Sequence, residues 1–144
     1  AVRETHEGVI GSYVHSNHKV AVLVALLCET DFVARNEKFQ ELARNIAMHI
    51  AAMDPLVVSP NDVSDDVIEE EKTLALKQLA QQDKPEDIKA KIVEGKLKKF
   101  REEQALLSQP YVKDSSKTVE DLLKESIAEL GENITVKEFS RLTV

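Results

Sequence analysis

A chain of 144 residues has the length of one domain, and 42% hydrophobic with 31% charged residues is an ordinary globular balance that excludes a long disordered tail. It holds no apolar run long enough to span a bilayer and no secretory signal peptide, and its net charge of −7 argues against nucleic-acid binding, because an acidic surface repels phosphates. The single cysteine, Cys28, rules out an intrachain disulfide and fits a reducing compartment.

Along the chain, Gly8 to His15 and Lys19 to Glu29 read as a β-hairpin, with Asn17 in the Ser16–His18 turn suited to positive φ. On the second strand Val20, Val22, Val24, Leu26 and Cys28 share one face, and Ala21, Leu23, Ala25 and Leu27 the other. Both faces are apolar, which predicts a central strand covered on both sides. A helix follows from Asn36 to Met53, with Phe39, Leu42, Ala43, Ile46 and Ile50 at helical spacing, an Asn36 cap and Asp54-Pro55 as its stop. "LVVS" reads as a short edge strand or a connector.

Ser59-Pro60-Asn61-Asp62 sets out a cap, a first-turn proline and an N3 acid. Ser64 caps the next helix, which carries Val67, Ile68, Leu74, Ala75 and Leu79. Pro85 opens another, with Ile88, Ile92, Val93, Leu97, Phe100 and Leu107 in line. A short link between them predicts an antiparallel hairpin over about 64–107. Gly95 lies inside its second helix, which close backbone packing would explain. "SQPYVKDSS" reads as a loop, and Thr118 to Asp121 as a capping box. The helix it opens buries Leu122, Leu123, Ile127 and Leu130 and ends at Gly131, placed for the positive-φ C′ position. A last strand runs from Ile134 to Val144, its apolar face switching near Glu138 as at a bulge. The order predicts an α+β fold: a small three-stranded antiparallel sheet packed with helices, including the helical hairpin. Such a sheet leaves edges and a face that invite self-association.

Signals of catalysis are missing. There is no Gly-rich phosphate loop and no nucleophile elbow. His15 and His18 flank a turn, His49 is mid-helix and Cys28 has no ligand-spaced partner, so neither a metal site nor a cofactor is expected. Cys28 reads as a small buried hydrophobe at a strand end. Glu29 and Asp31 are close enough in sequence to act as acid and base in a hydrolase, but nothing supplies a pocket around them.

The stretch "TDFVARN" sets a scarce aromatic, Phe32, beside Asp31 at a connection. Either Asp31 caps the following helix while Phe32 closes the core, or Phe32 protrudes as an aromatic anchor of the kind that becomes a binding hot spot.

"CETDFVARNEKFQELARNIAMHIAA", "VEGKLKKF", "LLSQPYVKDSSKTVEDLL" and "LGENITVKEFSRL" together resemble, in this order, the core of the bacterial-type elongation factor Ts family, which exchanges nucleotide on elongation factor Tu. The resemblance covers nearly all of the chain and implies a single core domain over 1–144, with the hairpin as an excursion. It implies that Thr30, Asp31, Phe32 and Val33 act on the partner's GTPase domain. There the aromatic wedges between two helices and Mg²⁺ is dislodged from bound GDP. It implies further contacts from Leu130 and Gly131 near the partner's phosphate loop, and from His15 to a more distant β domain. No enzyme chemistry, membrane or direct nucleic-acid contact is implied.

The family's N-terminal three-helix module and the terminal helical extension of its longer members have no counterpart in this sequence, and the chain starts "AVRETHEG" without Met. It therefore reads as a processed product or a piece of a larger protein, with weaker partner binding than an intact factor. Short members pair two such cores as a homodimer, and the same is expected here. The place of action implied is the bacterial cytoplasm, or the matrix or stroma of a bacterial-derived organelle. A dimeric interaction module, ribosome-associated or fused to other domains and without exchange activity, is the alternative.

Overall fold

The computed structural model describes residues 3–144. Strands β1 (Glu7–Val14) and β2 (Val20–Cys28) form the expected antiparallel hairpin, and β5 (Thr135–Thr143) joins the other side of β2 to give the order β1-β2-β5. The α+β prediction holds. At the hairpin turn the left-handed residue is His18, at φ 61°, and not Asn17. The Asn17 side chain instead accepts the N–H of Lys19 at 3.0 Å, which moves the positive-φ position one residue on.

Helix α2 (Glu37–Met53) lies across one face of the sheet, capped by Asn36, whose Oδ1 accepts the Lys38 N–H at 2.8 Å. Its Phe39, Ala43, Ile46 and Ile50 meet Val22, Val24, Leu26 and Cys28 in one core. The approach is close. A Cβ on Gly11 of β1 would stand 2.6 Å from the backbone of Ala43, so only glycine lets helix and strand meet there.

The other sheet face corrects the expectation of two covered sides. Ala21, Ala25 and Leu27 are half-buried, but Leu23 is 55% exposed, Ile10 65% and Leu142 74%. The helices that follow the hairpin all pack on the first side or away from the sheet, so its apolar rear is open. The bulge near Glu138 is present: Ala25 pairs with Glu138 and Leu26 with Val136, leaving Lys137 as the extra residue.

Between α2 and β5 the chain makes a 3-10 turn (Pro60–Asp62), then helices α3 (Asp65–Ala80) and α4 (Glu86–Gln104), a second 3-10 turn (Leu106–Ser108) and helix α5 (Val119–Leu130). "LVVS" contributes a single parallel bridge, Val57 to Ala105, and is otherwise a connector. Helices α3 and α4 form the predicted hairpin around Ala75, Leu79 and Val93, with Ile92 and Leu97 against them. Leu74 and Ile88 face out, because two helices bury only one stripe each. Gly95 is exposed with no atom within 4 Å of an added Cβ, so close packing does not account for it.

"SQPYVKDSS" is not a plain loop. Pro110–Tyr111 (β3) and Asp114–Thr118 (β4) pair in a small ribbon, and Tyr111 is buried against the ring of His49. His49 is itself buried. Its Nδ1 accepts the Val112 N–H at 3.1 Å, so Nε2 carries the proton and donates to Gln109 Oε1 at 2.9 Å. The capping box forms as predicted: Thr118 Oγ1 accepts from Asp121 N–H, and Asp121 Oδ2 from Thr118 N–H. Gly131 ends α5 at φ 75°.

Candidate functional site

The connection after β2 is a single helical turn, α1 (Asp31–Ala34). Its cap is Thr30 and not Asp31: extended backbone at Thr30 puts Oγ1 3.2 Å from the Val33 N–H it accepts. Helical periodicity inside the turn then decides the faces. Val33 and Ala34 enter the core, while Phe32 points out and is 80% exposed. Of the four Phe and two Tyr in the chain, it is the only one that stands open. An aromatic that closes the core is therefore the wrong description of Phe32.

Asp31, at the N-terminal end of the turn, pairs with Arg35 Nη2 at 2.8 Å, an i,i+4 pair with both groups exposed. Phe32, Arg35 and Asn36 rim a shallow hollow of about 390 Å³. Arg35 is an addition to the residues that the sequence marks out, and its i,i+4 spacing from Asp31 is the signal that could have found it. Val33, expected with the partner-facing set, is an internal anchor of the turn.

A second segment meets this turn. Gly131, in the left-handed conformation, sends the chain back so that Glu132 reaches the end of β2. Glu132 Oε1 accepts the N–H groups of Glu29 and Thr30, each at 3.1 Å, and Oε2 accepts the Thr30 hydroxyl proton at 2.7 Å. Glu29 Oε2 in return accepts the Asn133 N–H at 2.6 Å, with Arg3 Nε 3.6 Å from its other oxygen. Thus Thr30, Asp31 and Phe32 stand at the same end of the sheet as Leu130 and Gly131, which are half-buried and exposed respectively. Glu132, which ties them together, escapes sequence reasoning because its partners lie about a hundred residues away.

His15 stands at the other end of the sheet, after β1, where its Nδ1 and the Tyr13 hydroxyl share a hydrogen bond at 2.8 Å. A strand as long as β2 separates it from Phe32, about 30 Å at ~3.3 Å per residue.

Glu29 and Asp31 are engaged with different partners, the Asn133 N–H and Arg35 respectively. Cys28 is buried with its thiol donating to the Thr30 carbonyl at 3.2 Å. Burial first, then the Glu132 charge, pushes its pKa up, the opposite of an activated thiolate. Among the described residues, no helix is long and apolar enough to cross a membrane.

The sequence profile of the family described as Elongation factor TS matches residues 1–144. The chain belongs to the elongation factor Ts family. Similar curated proteins, each named Elongation factor Ts, include one from Thermosipho melanesiensis, 56% identical over 144 residues that make up 100% of this chain and 74% of that protein. One from Rubrobacter xylanophilus is 54% identical over 139 residues, 96% of this chain and 71% of the relative. Another from Nitratidesulfovibrio vulgaris is 53% identical, with 99% and 71% covered. These relatives are longer than the chain, and the family's role is in translation elongation.

Proposed function

We propose that the chain is a guanine-nucleotide exchange factor for elongation factor Tu, acting through protein contacts and not through enzyme chemistry. The observation that carries this is Phe32, a large apolar side chain held out in water on a short turn that Val33 and Ala34 root in the core. An aromatic presented on a fixed base is the kind of side chain that becomes an interface hot spot when a partner buries it. Phe32 enters the GTPase domain between two helices beside the Mg²⁺ site. Asp31 and Thr30 flank the entry, and Leu130 and Gly131, at the same end of the sheet, approach the phosphate loop. His15, about 30 Å away, reaches a separate domain of the partner.

The mechanism is linkage. A factor that binds best to the distorted, GDP-free site weakens nucleotide binding by the factor by which nucleotide weakens its own. No metal or cofactor is required from this chain; the Mg²⁺ is the partner's. A second copy covers the open sheet face at Ile10, Leu23 and Leu142, so the working unit is a homodimer. It works in the bacterial cytoplasm, or in the matrix or stroma of a bacterial-derived organelle.

The test is release of labelled GDP from elongation factor Tu. Catalytic amounts of the chain should accelerate it severalfold or more. Tight binding with no acceleration would favour an interaction module without exchange activity.

A further inference from the structure

We infer that Glu132 is the positioning residue of the Phe32 turn: its carboxylate, carried on the connection between α5 and β5, fixes the first residues of α1 so that Phe32 is presented in one orientation. This rests on the exchange reading of Phe32.

The turn needs outside support. A single helical turn fixes several backbone angles for very few internal bonds, which is unfavourable on its own. Within α1 and its caps the helical bonds are Ala34 N–H to Thr30 and Arg35 N–H to Asp31. The N–H groups of Glu29 and Thr30 lie just past the end of β2, where the ladder no longer offers acceptors. Glu132 accepts both through Oε1.

Its other oxygen controls the cap. A threonine hydroxyl has one proton and two lone pairs. With the proton committed to Glu132 Oε2, the Thr30 oxygen turns its lone pairs toward the Val33 N–H. Val33 is the core anchor one residue past Phe32, so the carboxylate sets the tilt of the whole turn through the cap. The return bond from Asn133 N–H to Glu29 Oε2 makes the junction reciprocal, and it cannot slide along β2 without breaking both halves.

The junction is partly open to solvent. Water can replace the carboxylate at modest cost to stability, but it cannot reproduce one fixed geometry. Removing Glu132 therefore loosens the turn more than it unfolds the protein. Gly131 gains a role as well, since its left-handed backbone delivers Glu132 to Thr30.

The experiment uses the full chain with elongation factor Tu and the variants Glu132→Asp, Glu132→Gln and Glu132→Ala, alone and combined with Phe32→Ala. Two quantities are read: hydrogen exchange of the Glu29 and Thr30 amides, and the rate of GDP release. Glu132→Asp keeps the charge but falls one methylene short. It and Glu132→Ala should raise amide exchange at Thr30 roughly tenfold or more, the scale of lost bonds to a charged group. Protection of Val24 and Leu26 should stay as in the parent. GDP release should slow severalfold, and Glu132→Gln, which keeps one acceptor oxygen for the two amides but sets an NH2 donor against the Thr30 hydroxyl, should restore amide protection while recovering only part of the release rate. With Phe32 already cut to Ala, the Glu132 changes should add nothing. Unchanged Thr30 protection in Glu132→Asp would overturn the inference, as would an equal slowing with and without Phe32. If Phe32→Ala alone leaves GDP release untouched, the exchange reading fails, and amide protection still decides whether Glu132 holds the turn.

Discussion

The ring of His49 joins the side chain of Gln109 to the backbone N–H of Val112, and it does so only when neutral. Nδ1 accepts from a backbone N–H that can do nothing but donate. A proton on Nδ1 would set donor against donor in a buried site. Burial holds the His49 pKa below its ordinary 6.5, with the Gln109 bond opposing the shift only in part.

The sign follows from linkage. Below pH 6.5 the unfolded chain takes up a proton on His49 that the folded chain refuses, so folding stability drops as pH falls from there toward the folded pKa. Denaturant unfolding at a series of pH values should show this slope, and His49→Leu should flatten it even if less stable at neutral pH. The Asp114 and Asp121 carboxyls are held below their usual 3.8, chiefly by the Ser116 hydroxyl and the Thr118 N–H respectively. Their contribution is lost in the same direction but only in more acid solution.

Gly95 sits in the middle of α4 with open space where a side chain would be. Gly95→Ala should raise stability by up to ~1 kcal/mol, since alanine gives up less backbone freedom and meets no neighbour. Thermal melting of the two proteins checks this. A loss of stability would mean that this stretch of helix is packed in solution against something, such as a second copy.

The open sheet face should be an interface between two copies. Across it Val14 pairs with Ala21 and Ala21 with Leu142, while Leu23 stands exposed in the central strand. Sedimentation at micromolar concentration should give about twice the 16.1 kDa chain mass, and Leu23→Lys should give the chain mass alone. A monomeric parent protein would contradict the dimer.

Local rules are legible in the sequence and long-range ones are not. The caps at Asn36, Ser64 and Thr118 and the C′ glycine at Gly131 depend on residues a few positions apart, and each is readable as a pattern. The apolar period of α2 is enough to mark Phe39, Ile46 and Ile50 as core. Which side of β2 is bare is not readable, because both faces are apolar and the answer depends on where the helices land. Tyr111 has the look of a loop residue, since its partner His49 is remote in sequence. At the site, Asp31 and Phe32 stand out by residue type alone. The cap is harder, because Asp31 and Thr30 are both good caps and the carboxylate that chooses Thr30 comes from position 132.

The most direct test of the account is Phe32→Ala, read by thermal melting and by labelled GDP release from elongation factor Tu. The side chain is 80% exposed, so melting should be nearly unchanged, in contrast to the ~3–5 kcal/mol lost when a core Phe is cut to Ala. GDP release should fall about thirtyfold, the ~2 kcal/mol scale of a buried aromatic anchor at an interface. Asp31→Ala should show a smaller loss of the same kind. Release at the parental rate from a folded Phe32→Ala protein would contradict the account.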